Sequence, residues 1–309
     1  MRLIVGVSPH NKASYDTSWI MKQVIIALVP AVIASIIFFR LKAIFLILVC
    51  IVAALLSEQT SSRLRKSPSS LRDYSVVVTG LLLALILPPS IPLWAAFLGS
   101  VVAVVLGKQV FGGLGHNIFN PALVGRAFLM AAFPVMLTSW WVKPYTLEAV
   151  TSATPLALWK FNQTFIGLDK LFLGNIPGSL GETSSLALIL GGIYLILRGV
   201  ADWRAPLGMG IGIFILSVIF YFINPLNGSA IFHLCSGGVI LGMFFMVTDP
   251  VTTPVTKIGR FLFGFCVGIL VIVIRRYSGL PEGVMYSILF MNAFAPLINK
   301  FTKPKSFGR

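Results

Sequence analysis

The sequence predicts an all-α polytopic membrane protein of about ten transmembrane helices, arranged as two inverted five-helix repeats. Three observations carry that expectation. Of 309 residues, 57% are hydrophobic and only 11% charged, against about 25% charged in a typical soluble domain. Apolar stretches recur along nearly the whole chain, many close to the roughly 20 residues that cross a bilayer. The 24 Lys and Arg residues sit at the ends of those stretches, as topology signals do. The first observation excludes a soluble enzyme, a secreted domain and a disordered chain. The third excludes a nucleic-acid partner despite the net charge of +15, because no basic face is formed.

Residues 1–19 read as a cytoplasmic N-terminal segment. Arg2, His10, Lys12 and Asp16 leave no apolar core for a signal peptide. Charges and Pro/Gly breaks then mark candidate spans at 20–39, 43–57, 75–87, 93–107 and 122–137. These form a first half, 20–137. Residues 138–184 form an extracytoplasmic loop opened by Trp140, Trp141 and Tyr145, and a loop this long is usually functional. Its charges balance, Lys143, Lys160 and Lys170 against Glu148, Asp169 and Glu182. Spans at 185–197, 206–223, 231–247, 258–274 and 283–299 form a second half, 185–299, and 300–309 is a cytoplasmic tail. Several spans are shorter than 20 residues, which predicts broken or tilted helices lining a protein-enclosed site.

With the N-terminus in the cytoplasm, seventeen Lys and Arg fall inside, Lys108 and Arg126 among them, and seven outside. That bias supports ten spans with both termini cytoplasmic. The outer Arg40, Lys42, Arg275 and Arg276 run against the rule and are assigned to lipid phosphates or partner subunits. Five spans per half means opposite insertion of the halves. Gly80, Pro88 and Pro92 recur at Gly242, Pro250 and Pro254 with a constant offset, as an inverted repeat of broken segments would show.

Three segments are able to carry chemistry. In Thr151-Ser152-Ala153-Thr154-Pro155-Leu156, Thr before Pro is a helix start, with Thr154 as N-cap and a short interfacial helix over 155–161. The same hydroxyl, exposed at a helix N-terminus, suits a phosphate, and the two readings are compatible. In Gly112–Pro121, Asn120 caps a helix that begins at Pro121. Asn117 and Asn120 also lie three apart, so in a helical turn both amides face one way and read the edge of a heterocycle. His116 there reads as interfacial or as a ligand. In Met246–Thr256, Asp249 ends a 44-residue stretch without a formal charge. It either caps a broken helix or contacts an ion or cofactor, with Thr248 and its neighbours able to meet ring nitrogens or phosphate.

Walker A and H-E-x-x-H motifs are missing, and Cys50, Cys235 and Cys266 read as buried core residues. No metal site and no catalytic residue are assigned.

At these segments the chain resembles the RnfD/NqrB membrane subunits of ion-pumping respiratory complexes. The matching pieces are SPHNKASYDTSWIMKQVIIALVPA, LPPSIPLW (87–94), GGLGHNIFNPALVGRAFL (112–129), TSATPLAL (151–158) and FFMVTDPVTTPVT (244–256). The short N-terminal region is closest to RnfD. The resemblance implies a subunit of the Rnf complex, which passes electrons from reduced ferredoxin to NAD and moves Na⁺ or H⁺ outward. It implies a bacterial or archaeal cytoplasmic membrane, other Rnf subunits as partners, and an electron-relay role rather than a complete activity. It implies FMN joined through its phosphate to Thr154 by an ApbE-type flavin transferase; Ser152 stands where the family usually has Gly. It also implies a second, non-covalent flavin (riboflavin or FMN) near Asn117 and Asn120. An NqrB-like subunit of a Na⁺-pumping quinone reductase and a small-solute channel or transporter are the alternatives.

Overall fold

The computed structural model describes residues 15–66, 70–139, 141–145, 153–174 and 176–303. They are helical, with no strand among the described residues. Helix α1 (Thr17–Phe39) starts where Asp16 Oδ1 accepts the Thr17 N–H at 2.7 Å, and it passes through Pro30 without ending. Helix α2 (Leu41–Leu64) follows after Arg40, whose φ is +52°. The sequence expectation ended this span at 57, before Glu58. The helix instead runs on, because Glu58 is paired within the bundle and because Ser57, Thr60 and Ser62 donate to carbonyls four residues back.

Helices α3 (Ser75–Ile86), α4 (Leu93–Val104, continued by a π turn, Val105–Gln109) and α5 (Pro121–Ala132) are short. At 12 residues α3 spans roughly 18 Å, well under the ~30 Å hydrocarbon thickness. It is almost wholly buried. After α6 (Pro134–Thr138), α7 (Pro155–Asn162) and α8 (Leu168–Leu173) come α9 (Ser185–Leu197) and α10 (Arg204–Ile223). Then follow α11 (Ala230–Cys235), α12 (Val239–Leu241, continued by a π turn, Gly242–Met246), α13 (Lys257–Tyr277) and α14 (Val284–Thr302).

Each of the ten apolar stretches falls on a helix or a bent helix pair. By length and composition α1, α2, α10, α13 and α14 suffice to cross a membrane alone, and the pair around Ser236–Gly238 adds a sixth. This is a multi-pass membrane protein. The single span expected at 231–247 is bent by 47°, because Gly237 adopts φ +65° between α11 and α12.

Packing is closest where side chains are smallest. Gly208 and Gly212 of α10 face Gly264 and Gly268 of α13, and a Cβ on any of them would overlap a backbone oxygen of the other helix. Small residues substitute here for the hydrophobic drive that lipid removes. In the first half α2 packs on α3 and α4, and α4 on α5; in the second, α10 packs on α11 and α13, and α13 on α14. Across the halves α1 meets α9 and α5 meets α14.

Three charges are placed differently from the sequence expectation. Lys108 and Arg126 are buried inside the protein, so they are not loop signals of topology. Arg275 does not reach lipid. It is fully buried, and its guanidinium donates to His233 O at 2.7 Å and Ser236 O at 2.8 Å, satisfying carbonyls freed at the end of α11. Within the loop 138–184, residues 176–184 are buried, with Leu180 N and Gly181 N donating to Leu87 O and Leu85 O at the end of α3.

Candidate functional site

Two cavities of similar size occupy the protein, and helix α5 runs from one to the other. Ala122 lines one and Arg126 the other, about 6 Å apart along the axis.

The first cavity, with about 730 Å³ of empty space, contains Thr154 in its wall. Thr154 caps α7, as its sequence predicts: Oγ1 accepts the Ala157 N–H at 3.2 Å and Pro155 takes the first helical position. Helix α7 is anchored from below. Trp159 Nε1 donates to Leu226 O at 2.9 Å, and Lys160 Nζ donates to the carbonyls of Arg275 and Leu280 at 2.7 and 2.9 Å, and to that of Ser278. Apolar and aromatic walls come from Trp141, Leu156, Met285 and Tyr286. Ser152 lies outside the described residues.

The polar floor of this cavity was missed from sequence. Arg126 Nη2 meets Glu282 Oε2 at 2.5 Å, and Arg126 Nη1 lies 3.9 Å from Glu182 Oε1. Burial and the adjacent Glu282 carboxylate push Glu182 up to about 8, against the pull of Arg126. For Glu282 burial acts in the same sense, but Arg126 and the Gly238 N–H outweigh it and hold its pKa below the ordinary value. Only nine acids occur in the chain. A cation inside an apolar stretch, as at Arg126, is the signal that was available.

The second cavity, about 740 Å³, gathers all four residues of the other two segments: Asn117, Asn120, Thr248 and Asp249. They do not share a helical turn, since residues 117–120 form no helix. Asn120 Oδ1 is occupied as the α5 cap, accepting from Ala122 N at 3.1 Å, and its own N–H donates to Asn292 Oδ1. Asn117 is different: Nδ2 donates weakly to Phe119 O at 3.3 Å, while Oδ1 is buried with no hydrogen-bond partner among the described residues. Thr248 donates back to Phe244 O at 2.6 Å. Asp249 caps a turn, accepting from Val251 N and the Thr252 hydroxyl. Burial raises its pKa despite those two bonds. His116 is exposed and does not line this cavity. Lys108 does, and its ammonium bonds Glu58 at 3.0 Å and Ser75 Oγ at 2.9 Å.

Over residues 4–308 the sequence matches the NQR2, RnfD, RnfE family. The chain belongs to that family. It is 42% identical over its whole length to the D subunit of the Na(+)-translocating ferredoxin:NAD(+) oxidoreductase complex of Acetobacterium woodii, spanning 96% of that protein. It is also 42% identical, over 98% of its length and 96% of the relative, to the D subunit of the proton-translocating ferredoxin:NAD(+) oxidoreductase complex of Clostridium ljungdahlii. The D subunit of the ion-translocating oxidoreductase complex of Ectopseudomonas mendocina is 37% identical over 97% of the chain and 94% of the relative.

The residues of this family member suit the flavins that the resemblance implies. The first cavity offers an esterifiable hydroxyl beside aromatic and apolar walls. The second offers a buried, unpaired amide oxygen, an acceptor for a heterocycle N–H.

Proposed function

We propose that this chain is the D-type membrane subunit of an Rnf complex, an ion-translocating ferredoxin:NAD oxidoreductase, and that it relays electrons through flavins. FMN is ester-linked through its phosphate to Thr154, and an ApbE-type transferase installs it. A second, non-covalent flavin occupies the cavity of Asn117. The observation that carries the reading is the position of Thr154, a hydroxyl in the wall of a partly open cavity with aromatic and apolar lining, in a chain related end to end to the D subunits of such complexes. Helix α5 supports the relay, since residues one turn apart on it line the two cavities.

A flavin, when bound, takes up one or two electrons. The chain's residues do the remainder. Trp141, Leu156 and Met285 exclude water from the ring's space. Arg126 supplies fixed positive charge near it. The Asn117 amide oxygen orients the second ring, and Asp249 holds the turn that shapes the cavity beside it.

We infer further that the ten helical stretches are ten spans in two inverted halves, with both termini cytoplasmic. The packing pattern supports this: the pairings of α2 with α3 and α4, and of α4 with α5, recur as α10 with α11 and α13, and α13 with α14. The inter-helix contacts that cross the halves, α1 with α9 and α5 with α14, join equivalent members, as a two-fold axis requires.

The test is in-gel ultraviolet fluorescence of the denatured chain, with its flavin transferase present. Wild type should give a fluorescent band and a mass increment on the peptide holding Thr154. Thr154→Asn keeps a helix cap but has no hydroxyl to esterify, so its band should be dark while the chain still accumulates. A dark wild-type band would overturn the covalent-flavin reading.

A further inference from the structure

The first cavity carries a group that flavin attachment does not use. Glu182 and Glu282 come from distant loops, one before α9 and one before α14, and both are brought to Arg126 on α5. Their Oε1 atoms converge on one glycine. Gly238 N donates to Glu282 Oε1 at 3.0 Å. A Cβ built on Gly238 would lie 2.7 Å from Glu282 Oε1 and 3.1 Å from Glu182 Oε1. No side chain other than hydrogen fits there while the two carboxyls stay in place. Glu182 Oε2 accepts only a long bond from Ser179 N, 3.4 Å, and Oε1 is buried without a hydrogen-bond partner among the described residues.

Two buried carboxylates this close repel one another, which favours a proton held on one of them. Among the described residues no positively charged side chain besides Arg126 hydrogen-bonds either carboxyl. Arg275 of α13 acts on the two carboxylates through its charge, but its hydrogen bonds go to the carbonyls of His233 and Ser236. Lys160 of α7 is committed to three carbonyls, and the His233 ring of α11 to Asn227 O and Arg275. Tyr286 of α14 lines the cavity as a neutral phenol.

We propose that Glu182 and Glu282 form a proton-holding site in the wall of the Thr154 cavity, one proton shared between two carboxyls with Arg126 as the counter-ion. The proton resides on Glu182, the more enclosed of the two, its side chain 6% exposed against 19% for Glu282. When negative charge arrives in the cavity, the Glu182 O–H bond breaks and the proton passes to the group that gained the charge. The carboxylate left behind is held by Arg126 and is reprotonated from water through Glu282. No electron passes through the carboxyls; the reductant is a one-electron donor outside this site. That use of the proton rests on the flavin reading above, whereas the proton site itself does not.

The test is infrared spectroscopy of the full-length protein carrying ¹³C-labelled glutamate, followed from about pH 6 to about pH 10, a window above the ordinary carboxyl range. A C=O band of protonated carboxyl should be present at neutral pH, shift with the label and with D₂O, and vanish as pH rises through about 8. Glu182→Gln should remove it. Thr154→Ala should keep it, since the site needs no flavin. A flavin-free wild type that shows the band supports the site and refutes only the covalent flavin. A flavin-bearing wild type with no label-sensitive band at neutral pH overturns the site, whatever the variants do.

Discussion

Lys108 and Glu58 form an ion pair with side chains 1% and 0% exposed, at 3.0 Å. The ammonium also donates to Ser75 Oγ, which donates in turn to Asp73 at 2.6 Å. Lys108→Met would strip the Glu58 carboxylate of this ammonium while leaving it in the interior. Removing one partner of a buried pair costs about 3–5 kcal/mol, whereas removing both charges together is often close to neutral. Glu58→Gln should therefore destabilise by a similar amount, and the double variant should return to within about 1–2 kcal/mol of wild type. The assay is detergent-induced unfolding of the full chain for all four members of the cycle. Those costs imply a coupling of about 4–9 kcal/mol, above the about 0.5–3 kcal/mol usual for residues in contact, as desolvation of both charges requires. Coupling within or below the ordinary contact range, about 3 kcal/mol or less, would show that water or another cation reaches Glu58, and would refute the reasoning from burial.

Gly268→Val places a branched side chain against the Met209 backbone oxygen, so it should separate α10 from α13 and deplete the chain from membranes, measured by immunoblot against the milder Gly268→Ala. Thr154→Ala removes the α7 cap and should cost about 1 kcal/mol, while Thr154→Ser and Thr154→Asn keep it; equal melting of all three would deny the cap. Stability should fall as pH rises from about 5 towards 8. Glu182 has a folded pKa of about 8 against an ordinary 4.5, so the folded chain binds more protons than the unfolded one in that window. That stabilisation is complete below the unfolded value and lost as pH passes the folded one. Glu282 shifts downward, so its effect belongs to lower pH; a Glu182→Gln variant with an undiminished slope would reject the assignment. Lys160→Met should loosen α7 from the end of α13 by freeing three carbonyls, visible as faster amide exchange at residues 278–283.

Helices were legible because lipid leaves a chain few options. Backbone groups must be satisfied within each segment, so apolar runs bounded by charge and proline mark the elements directly. The caps at Thr154 and Asn120 were legible for the same local reason: a hydroxyl or amide before Pro has one favourable use. The grouping of Asn117 with Asp249 in one cavity was not legible, because it depends on how α3 and α5 pack against the segment after α12. The ion pairs were hidden for a different reason. A charge at the end of an apolar run reads as a boundary, and nothing local to Glu58 tells a boundary from a buried partner, while Arg126, inside an apolar run, gives no sign of which acids it meets. The bend at Ser236–Gly238 was also unread, since two glycines in an apolar stretch do not by themselves say whether the helix continues.

Arg126 has a consequence for how the chain is made. Its carboxylate partner Glu282 lies 156 positions further along the sequence. When α5 enters the bilayer during synthesis, that partner does not yet exist, and a lone arginine within an apolar helix is costly there. Until nearly the whole chain has followed, Arg126 has only the longer 3.9 Å contact with Glu182 to rely on. The order of manufacture thus makes the first half wait for the second. A chain truncated before Glu282 would leave Arg126 with only its 3.9 Å contact to Glu182, a mark by which quality control could tell the two apart.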